Sequence, residues 1–192
     1  MSLLLKVNEV FYSIQGEGLW AGAPCIFVRL AGCNLKCPFC DTDYSQKFEA
    51  TSKDLLDIVI NLRAPTRRIV ITGGEPCMQN LYPFIEYCHN YGLSVHLETN
   101  GTLPVPTTAD WVTYSPKSTK GKPIKAQEVK FLCGMEDWEE VIGWVISTPG
   151  LTFKWMGLQP ISQDWEHVAY NYCLRYPWLF YSCQIHKKIN VK

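Results

Sequence analysis

The chain carries no block of like charge: its 18 basic and 18 acidic residues balance to a formal net charge of zero. That leaves no electrostatic reason to expect nucleic acid or a membrane surface as a partner. No stretch reaches the length of a membrane-spanning helix. The opening residues, MSLLLKVNEVFY, contain a short apolar run but neither the cationic lead nor the long apolar core of an export signal. The expected location is therefore cytoplasmic, where the nine cysteines read as reduced thiols. Internal repeats, linkers and low-complexity tracts are also missing. At 192 residues, 47% of them hydrophobic, residues 1–192 read as one domain with a core of its own.

What the chain does have is one crowded stretch, GCNLKCPFCDT, in which Cys33, Cys37 and Cys40 stand at the spacing C-x3-C-x2-C. A tetrahedral zinc site would call for a fourth ligand nearby, as a second C-x2-C or an H-x3-H pair, and neither occurs. A cubic iron–sulfur cluster has four irons, so three cysteines leave one iron open to a substrate or cofactor. The other cysteines (Cys25, Cys77, Cys88, Cys133, Cys173 and Cys183) are scattered through apolar segments and read as small buried hydrophobes.

Around this stretch the pattern is strand, loop, helix, repeated about six times, which predicts a parallel α/β sheet covered by helices. Six strands are too few for a full eight-unit barrel, so an incomplete (β/α)6-type barrel is expected. The first two strand-like runs, LLKVNEVFYS and GAPCIFVRLA, are joined by the glycine-rich loop SIQGEGLWAGAP. Further strands are expected at Ile69–Thr72, Ser94–Thr99, Trp111–Tyr114, Glu128–Leu132, Leu151–Gln159 and Trp178–Gln184. Helices are expected over LLDIVINL, capped by Thr51 with Asp54, and over Asn80–Tyr91, Met135–Ser147 and Gln163–Leu174. The polar turns GGEP, ETNGT, SPK and LQP, like the cysteine loop, follow the carboxyl ends of strands, the edge where parallel α/β folds bind ligands. Arg29, inside the apolar run CIFVRLA, needs either a structural partner or an anionic ligand.

The cysteine triad, with Phe39 just before its last member, resembles the signature of the radical S-adenosylmethionine (SAM) enzymes. The likeness extends further: SIQGEG, FVRLAGCNLKCPFCDT, TGGEP, ETNGT, SPK, LQP and the terminal QIHK resemble the 7-carboxy-7-deazaguanine synthase family from about Val7 to the C-terminus. That resemblance implies a partial barrel of the radical SAM kind. It implies conversion of 6-carboxy-5,6,7,8-tetrahydropterin to 7-carboxy-7-deazaguanine and ammonia, with a 4Fe-4S cluster, SAM and Mg2+ as cofactors. Cys33, Cys37 and Cys40 would hold the cluster, and Thr42, flanked by Asp41 and Asp43, would supply a hydroxyl to magnesium. Phe39, Gly74, Glu75, Glu98, Ser115, Lys117 and Gln159 would contact SAM. Gln15, Glu17, Arg29, Thr72, Gln184, His186 and the C-terminal Lys192 would face the pterin. The other histidines (His89, His96 and His167) read as structural. A homodimer and an electron donor such as flavodoxin or ferredoxin are implied as partners.

The segment between triad and first helix, DYSQKFEAT, is compact, and the chain reads as short for that family. The same triad in a small protein also suits an activase of glycyl-radical enzymes, which needs a protein partner and no pterin pocket. QGEG and the QIHK terminus speak against that alternative. Intact cysteines and the GGE turn likewise speak against a non-catalytic protein that kept only the fold.

Overall fold

A computed structural model describes residues 4–120 and 123–192. Among these residues there are nine strands and five helices. The chain divides into two compact units. The first takes residues up to Ile14, Ala23–Thr99 and Leu103–Val112, and the second takes Gln15–Gly22, Asn100–Thr102 and Thr113–Lys192.

The first unit contains β1 (Leu5–Ile14), β2 (Pro24–Leu30), β3 (Phe48–Ala50), α1 (Ser52–Asn61), β4 (Arg68–Gly73), α2 (Tyr82–Asn90) and β5 (Ser94–Thr99). Its strands lie in the order β3-β1-β2-β4-β5. β1 runs antiparallel to both neighbours, whereas β2, β4 and β5 are parallel, with Leu30 opposite Gly73 and Ile71 opposite Leu97. In β4 the consecutive residues Ile69, Val70 and Ile71 are all buried, as a parallel strand covered on both faces requires. Ile69 and Ile71 join Leu55 and Val59 of α1 and Phe84 and Ile85 of α2 in one core. Val70 points the other way, to Cys25 and Phe27. Each such side chain, fully buried, contributes about 1.5–3 kcal/mol.

The helix ends behave as their sequences demand. Thr51 caps α1 by accepting from the Asp54 N–H at 3.2 Å, and donates its own hydroxyl to the Asp54 carboxylate at 2.6 Å. At the far end of α2, Gly92 takes φ +76°, and Gly92 and Leu93 N–H groups return to the carbonyls of His89 and Cys88 at 2.8 and 2.9 Å. Only glycine reaches that left-handed turn without strain.

β6 (Trp111–Tyr114) begins in the first unit and ends in the second, which also holds β7 (Glu128–Cys133), α3 (Trp138–Ile146), β8 (Trp155–Pro160), α4 (Glu166–Arg175), β9 (Phe180–Tyr181) and α5 (Ile185–Lys188). β6, β7, β8 and β9 pair in parallel, with Thr113 opposite Glu128 and Leu158 opposite Tyr181. All six residues of β7 are buried, and Glu128 and Lys130 are among them.

The α/β class and its parallel strands match the expectation. The regular alternation does not. β1 folds back on β2 without a helix, and no helix joins β5 to β6 or β6 to β7 among the described residues. Pro104, Pro106, Pro116 and Pro123 fall in those two connections, where proline removes donors that a helix needs. The expected strand Trp178–Gln184 shrinks to Phe180–Tyr181: the Ser182 N–H still donates to the Leu158 carbonyl of β8 at 2.9 Å, while the side chains of Ser182 and Gln184 bond the glycine-rich loop. The strand expected from Leu151 starts at Trp155, and the helix expected from Gln163 starts at Glu166 after one tight turn. The short β3 and α5 have too few residues to show a period.

Candidate active site

In the first unit, the parallel register of β2 and β4 sets the cysteine loop beside the TGGEP turn, since both leave the same sheet edge. Gly73 sits at φ +130°, and a Cβ there would lie 2.1 Å from the Leu30 carbonyl oxygen. A Cβ on Gly74 would lie 2.0 Å from the Gly32 carbonyl oxygen and 2.9 Å from the Cys33 Cβ. The Glu75 N–H donates to that Gly32 carbonyl at 2.9 Å. Two glycines are therefore what lets the turn lie directly on the cysteine loop. The Glu75 carboxylate is fully buried and accepts from the Cys77 N–H at 2.9 Å and the Thr99 hydroxyl at 2.8 Å. Beside it, burial and then the Glu75 charge push the Cys77 thiol up to about 12, so it stays protonated.

All nine cysteines are thiols. Cys33 and Cys37 are half-buried and Cys40 is exposed. The Cys40 N–H returns to the Cys37 carbonyl at 3.1 Å, and the Cys33 sulfur accepts from the Leu35 N–H at 3.4 Å. Among the described residues no three His, Cys, Asp or Glu side chains converge as a metal cage. The triad thus shares one loop without forming a closed set. Its fit to a cluster rests on soft thiol donors, their spacing, and the turn that glycine brings against Cys33. Phe39 and Thr42 on the same loop are half-buried. Asp43 accepts from the Ser45 N–H at 2.9 Å and pairs with Lys47 at 3.4 Å. The Ser45 bonds draw its carboxyl down to about 2, which is the signature of a turn.

Two expected pterin contacts of this unit have protein partners. The Arg29 Nε donates to Glu9 at 3.0 Å across the β1–β2 pair, with its guanidinium 5.8 Å from the centre of the Phe11 ring. The Thr72 hydroxyl donates to Glu98 at 3.0 Å.

The second unit gathers the loop 15–22, β7 and the C-terminal segment around Glu17. One Glu17 carboxylate oxygen pairs with the Lys130 ammonium, and the other accepts from Gln184 Nε2 at 2.7 Å. The Glu17 N–H donates to the side-chain oxygen of Gln15, itself buried, at 3.3 Å. Burial alone would raise the Glu17 carboxyl. The Lys130 charge, hydrogen bonds from Lys130 and Gln184, and the His186 charge override it and hold the group at about 2.

The His186 ring lies so close to Gly16 that a Cβ there would stand 1.8 Å from Nδ1, and the Ile185 N–H donates to the Gly16 carbonyl at 2.9 Å. Gly18, at φ +70°, is backed by the Glu128 carboxylate. Its N–H donates to Ser182 Oγ at 3.3 Å, and that hydroxyl donates to the buried Gln159 at 3.2 Å. In the SPK turn, Lys117 Nζ donates to Ser115 Oγ at 2.6 Å, and Ser115 donates to the Lys130 carbonyl at 3.2 Å. Lys192 is exposed at the chain end, where the Val191 N–H returns to the His186 carbonyl at 3.0 Å.

Of the residues singled out from sequence, the structure joins Gln15, Glu17, Gln184 and His186 in one group, and Ser115 with Lys117 in another. It adds Lys130, Glu128 and Ser182, which the sequence reading passed over. A signal for two of them existed: EVKFLC carries charges inside an apolar run, as FVRLA does around Arg29.

Comparison with known proteins shows the family. The family profile described as the Radical SAM superfamily matches residues 28–143. A Bacteroides thetaiotaomicron protein named 7-carboxy-7-deazaguanine synthase is 37% identical over 99% of this chain and 100% of its own length. That end-to-end match shows the compact length is shared. The Escherichia coli K12 protein of the same name is 34% identical, over 96% of this chain and 98% of its own. A crystal structure of QueE from Escherichia coli superposes with a TM-score of 0.80 at 30% identity, covering 95% of each chain. The fold, the motifs and these full-length similarities together show that the chain belongs to the radical SAM superfamily and, within it, to the 7-carboxy-7-deazaguanine synthase family.

Proposed function

We propose that this chain, working as one catalytic domain, converts 6-carboxy-5,6,7,8-tetrahydropterin to 7-carboxy-7-deazaguanine with loss of ammonia. The observation that carries the reading is the group around Glu17: a loop QGEG and a terminal QIH, far apart in sequence, close on one carboxylate. When bound, a 4Fe-4S cluster with SAM supplies the 5′-deoxyadenosyl radical that takes a hydrogen from the substrate.

The chain's own groups bind and orient. Cys33, Cys37 and Cys40 offer thiolates to the cluster, and Phe39 and Gly74 border that loop. Glu75 accepts from the SAM ammonium and Glu98 serves its ribose. Ser115 and Lys117 take its carboxylate, and Gln159 supports it. Glu17 and Gln15 pair with the N–H edge of the pterin, and His186, Gln184, Thr72 and the terminal carboxylate of Lys192 complete its contacts. Arg29, already bound to Glu9, adds positive charge for the substrate carboxylate.

Thr42, a hard oxygen donor on the cysteine loop, is the protein ligand for Mg2+. Thr42→Ala should raise the magnesium requirement at least tenfold while SAM binding stays within twofold; equal losses would refute the assignment. A homodimer, a flavodoxin or ferredoxin donor, and a cytoplasmic location complete the proposal. Among the described residues no helix is long and apolar enough to cross a membrane.

The test is anaerobic turnover by reconstituted, reduced protein with SAM, magnesium and the pterin, read by mass spectrometry. 7-Carboxy-7-deazaguanine is the expected product. Deoxyadenosine without it would overturn the substrate and favour an activase.

A further inference from the structure

We infer that Lys130 is a positioning residue for substrate recognition: its ammonium holds the Glu17 carboxylate in place as an acceptor for the N–H edge of the pterin ring. The inference rests on the function proposed above and names a group that no sequence motif of the family reading contains.

The argument starts from cost. Lys130 lies in the middle of β7, a strand with all six residues buried, and its side chain is 8% exposed. Glu17 is 15% exposed. Taking two charges out of water this far is expensive, and an apolar pair of the same volume is often no less stable. A buried pair of this kind is therefore weak support for the fold and calls for another use. Its geometry supplies one. The two carboxylate oxygens of Glu17 are held from separate segments, by Lys130 on β7 and by Gln184 beside α5, while Gln15 holds its N–H. A carboxylate gripped on both oxygens has one orientation, which is what a planar, multi-donor ring edge requires of its acceptor.

Lys130 also separates two roles within one residue. Its carbonyl accepts from Ser115, which in turn accepts from Lys117, so the main chain supports the SPK turn while the side chain supports Glu17. Substituting the side chain leaves the carbonyl in place. The pterin should then be lost while SAM is kept, a split that a general loss of packing does not produce.

The experiment uses the cluster-loaded enzyme with SAM and magnesium, measuring pterin affinity by titration without reductant and KM and kcat under turnover. In Lys130→Met, KM and Kd for 6-carboxytetrahydropterin should rise about 10–100-fold, the worth of one charge-assisted hydrogen bond. The Kd for SAM should stay within twofold. Pterin binding by this variant should also weaken more steeply than in wild type as pH falls below neutral, because a buried Glu17 without the Lys130 charge favours its protonated form. The charged and titratable groups facing Glu17 in that titration are Lys130 from β7, His186 from α5, Lys187 through Gln184, and Glu128 behind Gly18.

Lys130→Arg keeps the charge and should recover most of the affinity. Glu17→Gln with Lys130→Met removes both charges, keeps the fold, and should bind pterin no worse than Glu17→Gln alone. An unchanged pterin KM in Lys130→Met would overturn the inference, as would equal losses of pterin and SAM, or additive losses in the double variant. Wild-type enzyme that neither binds nor turns over the pterin would overturn the proposed function, and this inference with it.

Discussion

Gly74→Ala is the sharpest single perturbation of the first unit. The added Cβ would stand 2.0 Å from the Gly32 carbonyl oxygen and 2.9 Å from the Cys33 Cβ. Ordinary contact lies near 3.4 Å, so the turn or the cysteine loop must retreat by over 1 Å. Neither obstacle is the end of a flexible side chain. The retreat would stretch the 2.9 Å bond from the Glu75 N–H to that same carbonyl and move Glu75 with it. Overpacking of this kind costs about 1–3 kcal/mol, or about 2–10 °C in Tm for a chain of this size. A displacement near 1 Å at a positioning group costs about 10²-fold in rate. The variant should therefore melt a few degrees lower, yet lose about 100-fold in both SAM binding and deoxyadenosine formation. Melting by calorimetry, SAM titration and anaerobic product counting read the three separately. A Gly74→Ala enzyme with wild-type SAM affinity and rate would refute the claim that glycine brings the turn against the cysteine loop.

Other positions give contrasting outcomes. Gly143 lies inside α3 with nothing within 4 Å of an added Cβ, so Gly143→Ala should raise stability by about 0.5–1 kcal/mol without touching activity, as a melting curve and a rate would show. Glu75→Gln keeps an oxygen for the Cys77 N–H and Thr99 hydroxyl, so Tm should barely move while SAM affinity falls at least tenfold; a parallel fall in both would make Glu75 structural. His96 is 6% exposed, and burial first, then the Arg68 charge, lowers it from 6.5 to about 4. The unfolded chain therefore takes up a proton before the folded one does. Stability should be full above pH 6.5 and fall as pH drops towards 4, by up to about 3 kcal/mol less what solvent screening removes. Urea midpoints against pH should show this slope in wild type and lack it in His96→Gln.

Much of the proposed site could be picked out because its motifs are local. The C-x3-C-x2-C loop, the GGE turn and the Thr51–Asp54 cap each sit within a few residues, so each can be picked out along the chain, and the family resemblance then assigns the first two their roles. Helices α1 and α2 were legible for the same reason: capping residues and a terminal glycine lie at their own ends. Expectation failed where the sequence pattern was weak or overridden. Among the described residues the proline-containing connections on either side of β6 hold no helix, which interrupts the six-fold alternation, and the last strand is only Phe180–Tyr181, with the side chains of Ser182 and Gln184 bonding the glycine-rich loop. Arg29 left two options open, and the register of β1 on β2 brought it to Glu9.

By itself, then, the sequence determined the α/β class, the cysteine loop and the motifs at the strand ends, since each depends on neighbours along the chain. Only the tertiary structure decided what surrounds Glu17. Its bonds to Lys130 and Gln184 span 113 and 167 residues, and no local spacing encodes a pairing made by strand order. A lysine in an apolar strand shows that a partner must exist, because burying a lone charge is too costly. Which partner it has is fixed by the packing of the second unit.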